Sequence, residues 1–213
     1  MKQPDVTTLG DSAVTLTFGE GISEELNNLV VAEAAWISAV RLPGVLDVVP
    51  AYASLTVHYD PCRISYVDLL TRLRAMRPAA VERSETQSAA LIIPVTYDGE
   101  DLNEVAERLK LDASEIVAIH ISREYRVFVI GFVPGFAYLG PLDERLILPR
   151  RDAPRKRVPA GSVAIAEAQT GVYPSETPGG WHLIGTTDMR MFDPARKQPA
   201  LLSVGDRVRF VQS

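Results

Sequence analysis

After Gly131 the chain almost never returns to helical spacing, and this loss of period limits its fold more than any other feature. Short apolar runs at 162–166, 170–173, 181–185, 200–204 and 207–211 are separated by corners rich in glycine and proline. Runs too short for helices and bounded by turn formers predict a closed or nearly closed β-barrel. Three corners are the richest: GFVPGFAYLG (131–140), VPAGSVA (158–164) and TPGGW (177–181).

The residues ahead of Gly131 read differently. Positions 6–9 and 13–18 alternate apolar and polar residues and predict two short strands. From 23 to 40 the apolar residues Leu26, Val30, Ala34 and Ile37 recur at helical spacing, with Ser23 as the N-cap and Glu24 and Glu25 at the positive end of the dipole. Strands follow at 45–49 and 54–59 around a corner at Pro50, Ala51 and Tyr52, and Ser65 with Asp68 opens a second helix. The ββαββα order predicts an α+β domain over 1–80, a ferredoxin-like sandwich with two helices on one antiparallel sheet. Polar residues without period place a linker at 81–89. The mainly-β domain then spans 90–213, with strands at 90–97 and 125–131 and helices at 101–110 and 114–121 before the barrel corners.

Charge and missing motifs exclude several functions. Twenty-two basic against 27 acidic residues give a net charge of −5, which argues against nucleic acid or an anionic membrane as the partner. The chain has one cysteine, Cys62, so no internal disulfide forms. It starts MKQPDVTTLGDSAV, without the apolar run of a signal peptide, and cytoplasm is the expected location. There is no phosphate-cradling GxxxxGK[ST] loop, no nucleophile elbow and no acylable lysine of a biotin carrier. His58, His120 and His182 are scattered without cysteines or paired acids, so no metal site is expected.

The candidate site lies in the corners. Any one of them reads as a tight turn, but all three fall between Gly131 and Trp181 among Phe132, Phe136 and Tyr173. Glycines let a backbone approach a ligand closely and prolines fix the corner, so Phe132, Pro134, Gly135, Phe136, Gly161, Ser162, Tyr173, Pro178, Gly179 and Trp181 are expected around a small-molecule or protein-binding cleft. The stretch 149–157 sets five basic residues against one acid on a loop held open by two prolines. It is either a solvated loop or an anion site in which Arg150 and Arg155 hold a carboxylate or phosphate. Gln169 and Thr170 either orient a polar ligand or cap a strand end. His120 is either a proton carrier or a packed core histidine.

At these motifs the chain resembles the 5-oxoprolinase B-subunit family, also labelled allophanate hydrolase subunit 1, which includes a sporulation histidine-kinase inhibitor. GFVPGFAYL (131–139), LPRRDAPRKRVPAGSVAIA (148–166), QTGVYP (169–174) and TPGGWHLIG (177–185) carry the resemblance, with GDSAVTLTFG (10–19) and VVPAYASLTVHYDP (48–61) in support. One departure is Thr186-Thr187, where the family pattern has an arginine. The resemblance implies that the barrel is cyclophilin-like. It implies a component of a heteromeric hydrolase that, together with the A and the homologous C subunits, opens 5-oxo-L-proline to L-glutamate at the expense of ATP. ATP belongs there to the complex, and the alternative it implies is a binding module that inhibits a sensor histidine kinase.

Overall fold

The computed structural model describes residues 4–76 and 89–213 and separates into two compact units, each described here by itself. All of the expected linker except its last position lies outside the described residues.

In the N-terminal unit, β1 (Asp5–Thr8), β2 (Ala13–Thr17), α1 (Glu24–Val40), β3 (Val45–Ala51), β4 (Ser54–Tyr59) and α2 (Tyr66–Met76) follow in the expected order. The sheet is antiparallel throughout, ordered β1-β2-β4-β3. Alternation on β4 buries Leu55, Val57 and Tyr59, which share one core with Val30, Ala34 and Ile37 of α1 and Leu69 and Leu73 of α2. The Ser23 hydroxyl accepts the Leu26 amide at 3.4 Å, and Ser65 accepts the Asp68 amide at 3.1 Å, so both predicted caps form. The corner expected to begin at Pro50 lies later, because β3 runs to Ala51. Proline lacks a ladder donor, yet β3 is an edge strand and tolerates it.

The C-terminal unit begins with β5 (Leu91–Val95), α3 (Leu102–Leu109), α4 (Ala113–Ile121), β6 (Glu124–Ile130) and β7 (Ala137–Gly140). It continues with β8 (Arg155–Val158), β9 (Ser162–Ala166), β10 (Gln169–Val172), β11 (Thr177–Gly179), β12 (His182–Thr186) and β13 (Arg207–Gln212). Seven strands form one mixed sheet, ordered β12-β9-β10-β7-β6-β13-β5 with β13 parallel to β5. Its two ends meet where Thr96 and Thr186 exchange backbone hydrogen bonds of 2.9 and 2.8 Å, so the barrel is nearly closed. Thr186 also donates its hydroxyl to Asp98 at 2.8 Å. At this seam Gly185 is needed for close approach, since a Cβ there would stand 2.6 Å from the Thr96 carbonyl.

The run at 200–204 is not a strand. Ala200 makes a single bridge to Phe192, Leu202 is buried in the barrel core, and Ser203 turns the chain by donating its amide to Asp206 at 2.8 Å. An apolar run of this length serves a core plug as well as a strand.

β9 is buried at every position, which places packed side chains on both faces of the barrel wall. Val163 and Ile165 join the interior core, with Leu139, Val172 and Ile184. Ala164 and Ala166 join a second cluster with Phe136, Val158, Tyr173, Trp181 and Leu183. This second, largely aromatic layer includes Val158 of the two-stranded β8–β11 sheet.

Candidate functional site

Strand alternation builds the site, because residues that do not face the barrel interior fall into the aromatic layer. Phe136, 1% exposed, lies at its centre. Its ring centroid is 5.8 Å from Phe132, 4.9 Å from Tyr138, 5.2 Å from Tyr173 and 5.4 Å from Trp181, each in an edge-to-face arrangement. The three corners therefore converge, supplying Phe132 and Phe136, then Val158, then Trp181.

The glycines make that convergence possible by close packing against protein. A Cβ on Gly179 would run into the Tyr173 ring, and one on Gly135, at φ +83°, would stand 2.7 Å from Phe192 Cβ. Gly161, at φ +82°, donates its amide to the Tyr173 carbonyl at 2.8 Å and accepts from Thr187 at 2.9 Å. Its amide is thus occupied within the fold. The Ser162 carbonyl takes the Tyr173 amide at 2.9 Å, and Ser162 and Gln169 are buried on the wall.

Phe132, Pro134 and Pro178 are exposed. Phe132 is 61% exposed at φ +71°, a backbone state that bulky residues rarely adopt, and so its ring is presented to solvent at a cost in strain. Beside it Tyr138 is half-buried. Burial raises the pKa of both the Tyr138 and Tyr173 phenols, and the nearby Arg150 charge opposes this. The Trp181 backbone also hydrogen-bonds Tyr173, which favours the phenolate.

The basic stretch divides in two. Arg150 is 56% exposed and reaches Glu167 at 3.3 Å across the surface, a weak pairing. Arg155 and Arg151 instead converge on Asp101, which is 3% exposed, at 2.6 and 2.8 Å. Arg155 also meets Glu100 at 2.6 Å, and Arg151 meets Glu104 at 3.0 Å. Three carboxylates thus face two guanidiniums, and the Arg155 charge is already balanced. Asp101 further accepts the Leu183 amide at 2.8 Å while its own amide donates to the Leu183 carbonyl at 3.0 Å. Sequence reasoning read Asp101 only as a helix start. The available signal was the acidic run at 98–104, which opposes the basic run at 150–157.

His120 and Thr170 lie on the other side of the wall, away from the corners. His120 has no exposed surface and stacks 4.6 Å from Phe210 of the interior. Thr170 donates its hydroxyl to the Ala164 carbonyl at 3.0 Å, so it accepts from His120 Nε2 at 2.9 Å, and Nδ1 accepts from the Tyr97 hydroxyl at 2.6 Å. Burial lowers the His120 pKa to about 3 and holds the ring neutral. Burial, followed by the neighbouring Tyr125, raises the Tyr97 pKa.

Among the described residues no group of three or more His, Cys, Asp or Glu is placed to hold a metal ion, and no helix is long and apolar enough to cross a membrane.

The family described as carboxyltransferase domain, subdomain C and D, matches residues 4–202. The 5-oxoprolinase B subunit of Bacillus subtilis (strain 168) is 43% identical over 97% of this chain and 92% of its own length. The chain belongs to the 5-oxoprolinase B-subunit family. The 5-oxoprolinase B subunit of Haemophilus influenzae is likewise 43% identical, over 97% of both chains. Among solved structures, that of TTHA0988 is 47% identical with a TM-score of 0.88. The match covers 94% of this chain but 40% of that one, so this chain spans about two fifths of it. A conserved protein of Pyrococcus horikoshii, 42% identical, matches over 98% of this chain and 97% of its own with a TM-score of 0.57. The urea amidolyase of Kluyveromyces lactis, 19% identical with a TM-score of 0.76, shares the fold. The four C-terminal motifs that resemble the 5-oxoprolinase B-subunit family include every ring of the aromatic layer: Phe132, Phe136 and Tyr138, then Tyr173, then Trp181.

Proposed function

We propose that this chain works as the B subunit of an ATP-dependent 5-oxoprolinase, cleaving 5-oxo-L-proline to L-glutamate in the cytoplasm together with the A and C subunits. The observation that carries this reading is 43% identity to a 5-oxoprolinase B subunit over nearly the full length of both chains. A lactam carbonyl is a poor electrophile. Phosphorylating its oxygen at the expense of ATP makes attack by water feasible; C–N cleavage of that adduct leaves the open chain as an acyl phosphate, and a second water releases the carboxylate and inorganic phosphate. We assign no nucleotide to this chain, because Arg151 and Arg155, the half-buried cations of its basic stretch, already face three carboxylates.

In this reading the aromatic layer is the contact surface. Phe132, Pro134 and Pro178 meet a partner protein of the complex, and Tyr138 and Arg150 border the space enclosed on assembly, with Tyr173 packed behind them. Arg150, held only by a surface pair, is the group available to take the substrate carboxylate. Arg155 and Asp101 act as positioning residues that hold the 149–157 strap. Neutral His120 fixes Thr170 from behind the wall, and Gln169 and Ser162 keep β10 and β9 in place.

The test is reconstitution. Purified A, B and C subunits with ATP should release glutamate from 5-oxoproline, and omitting this chain should abolish release. Undiminished release without it, or release by this chain alone, defeats the proposal.

A further inference from the structure

The turn that joins α1 to β3 borders a cavity of about 440 Å³ in the N-terminal unit, lined from 37–38, 41–48 and Arg63. Apolar and polar groups share its walls: Ile37 and Leu42 are buried, while Leu46 is 69% exposed. The volume lies in the range of small-molecule sites, about 300–1,000 Å³.

The polar groups are Ser38, Arg41, Asp47 and Arg63. Asp47 turns its carboxylate to the Val48 amide at 2.8 Å. Arg63 reaches Asp60 only at 3.6 Å and is 75% exposed. Arg41 makes no side-chain hydrogen bond or ion pair among the described residues. Two guanidiniums against one carboxylate leave the lining with one net positive charge.

The backbone supplies an independent observation. Arg41 caps α1 at φ 49°, ψ 48°, the left-handed state that glycine normally fills at helix ends and that a side chain disfavours. Strain tolerated at a cavity rim points to a use for the strained side chain. The negative end of the α1 dipole lies here, and the last turn of α1 has no basic residue to offset it. Without Arg41 this side of the cavity would repel an anion.

We propose that this cavity binds a small organic anion with a short apolar body and a single carboxylate. The carboxylate pairs with Arg41 and Arg63, and the body lies against Ile37, Leu42 and Leu46. One net positive charge suits a monoanion better than a phosphate dianion.

Octanoate is the probe, titrated into the full-length chain labelled with ¹⁵N. The expected result is saturable amide shifts confined to 37–48 and Arg63, with at least tenfold weaker binding of octanol. Arg41→Gly separates binding from folding, because glycine suits the left-handed cap: the melting temperature should hold or rise while octanoate affinity falls at least tenfold. No saturable shift up to roughly 10 mM octanoate overturns the proposal. So does equal affinity of Arg41→Gly and the parent chain, or a response confined to the β3 edge at 49–51, which would indicate an added strand.

Discussion

Replacing Asp101 with alanine should loosen the C-terminal unit more than any other single polar change described above. The carboxylate is 3% exposed and accepts three hydrogen bonds, from Leu183, Arg151 and Arg155. Removing it strands the buried Leu183 amide, worth about 1–3 kcal/mol. The two arginine side chains are 25% and 19% exposed, so water screens their loss and each pair contributes no more than about 1 kcal/mol. The expected total is about 1–5 kcal/mol, which for a chain of this size corresponds to a melting shift of roughly 2–20 °C. The assay is urea unfolding followed by Trp181 fluorescence in a Trp36→Phe background, since Trp181 packs in the C-terminal unit and Trp36 against the N-terminal core. The midpoint should fall with the slope unchanged. Asp101→Asn keeps an acceptor for Leu183 and should lose roughly half as much. A loss under about 0.5 kcal/mol for Asp101→Ala, the range of ordinary surface changes, would refute the hub.

Other outcomes follow from the same structure. Phe132→Ala should change stability by no more than about 0.5 kcal/mol yet weaken binding to the partner proteins at least tenfold by calorimetry, as expected of an exposed aromatic anchor. Gly161→Ala forces a side chain at φ +82° onto the Thr187 carbonyl and should cost more than Gly21→Ala, which meets the same backbone strain at φ +80° in open space; denaturant midpoints compare them, the latter at about 1–2 kcal/mol. The folded-state pKa of His120 is depressed to about 3, so the unfolded chain takes up a proton below about pH 6.5 while the folded chain does not. Stability should therefore fall with pH in that window by about 1.4 kcal/mol per unit from this residue, and His120→Gln should flatten the profile in urea titrations from pH 7 to 4.5.

The strands and helices were legible wherever a period held. β9 was placed without error, both predicted N-terminal caps form, and the ferredoxin-like and barrel units carry the expected element types. Short strands β7, β8 and β11 escaped, because three or four residues beside glycine and proline show no period. Convergence of the corners could be anticipated from their aromatic content, but their packing could not. A glycine that admits a ligand and one that admits a tyrosine ring look alike in sequence, and Gly179 is the latter. The same ambiguity separates Arg150 from Arg155. Both lie in one basic run, and only the fold reveals that the acidic run at 98–104 neutralises one and not the other.

Two faces of a single wall explain why stability and surface chemistry are separable in this unit. The interior of β9, β10 and β12 is packed with aliphatic residues and with the buried His120–Thr170 pair, which fixes the barrel from within. The opposite face of the same strands carries the aromatic layer, where Phe136 is fully covered while Phe132 is held exposed at a left-handed backbone angle. If burial were the only demand on this corner, a small or left-handed-tolerant residue at position 132 would remove both the strain and the exposed ring. A large aromatic kept in that state, edge-on to a buried one at 5.8 Å, has its backbone and one ring edge already placed before any partner arrives. Little conformational entropy is then lost on contact, so a surface of modest area suffices for specific assembly.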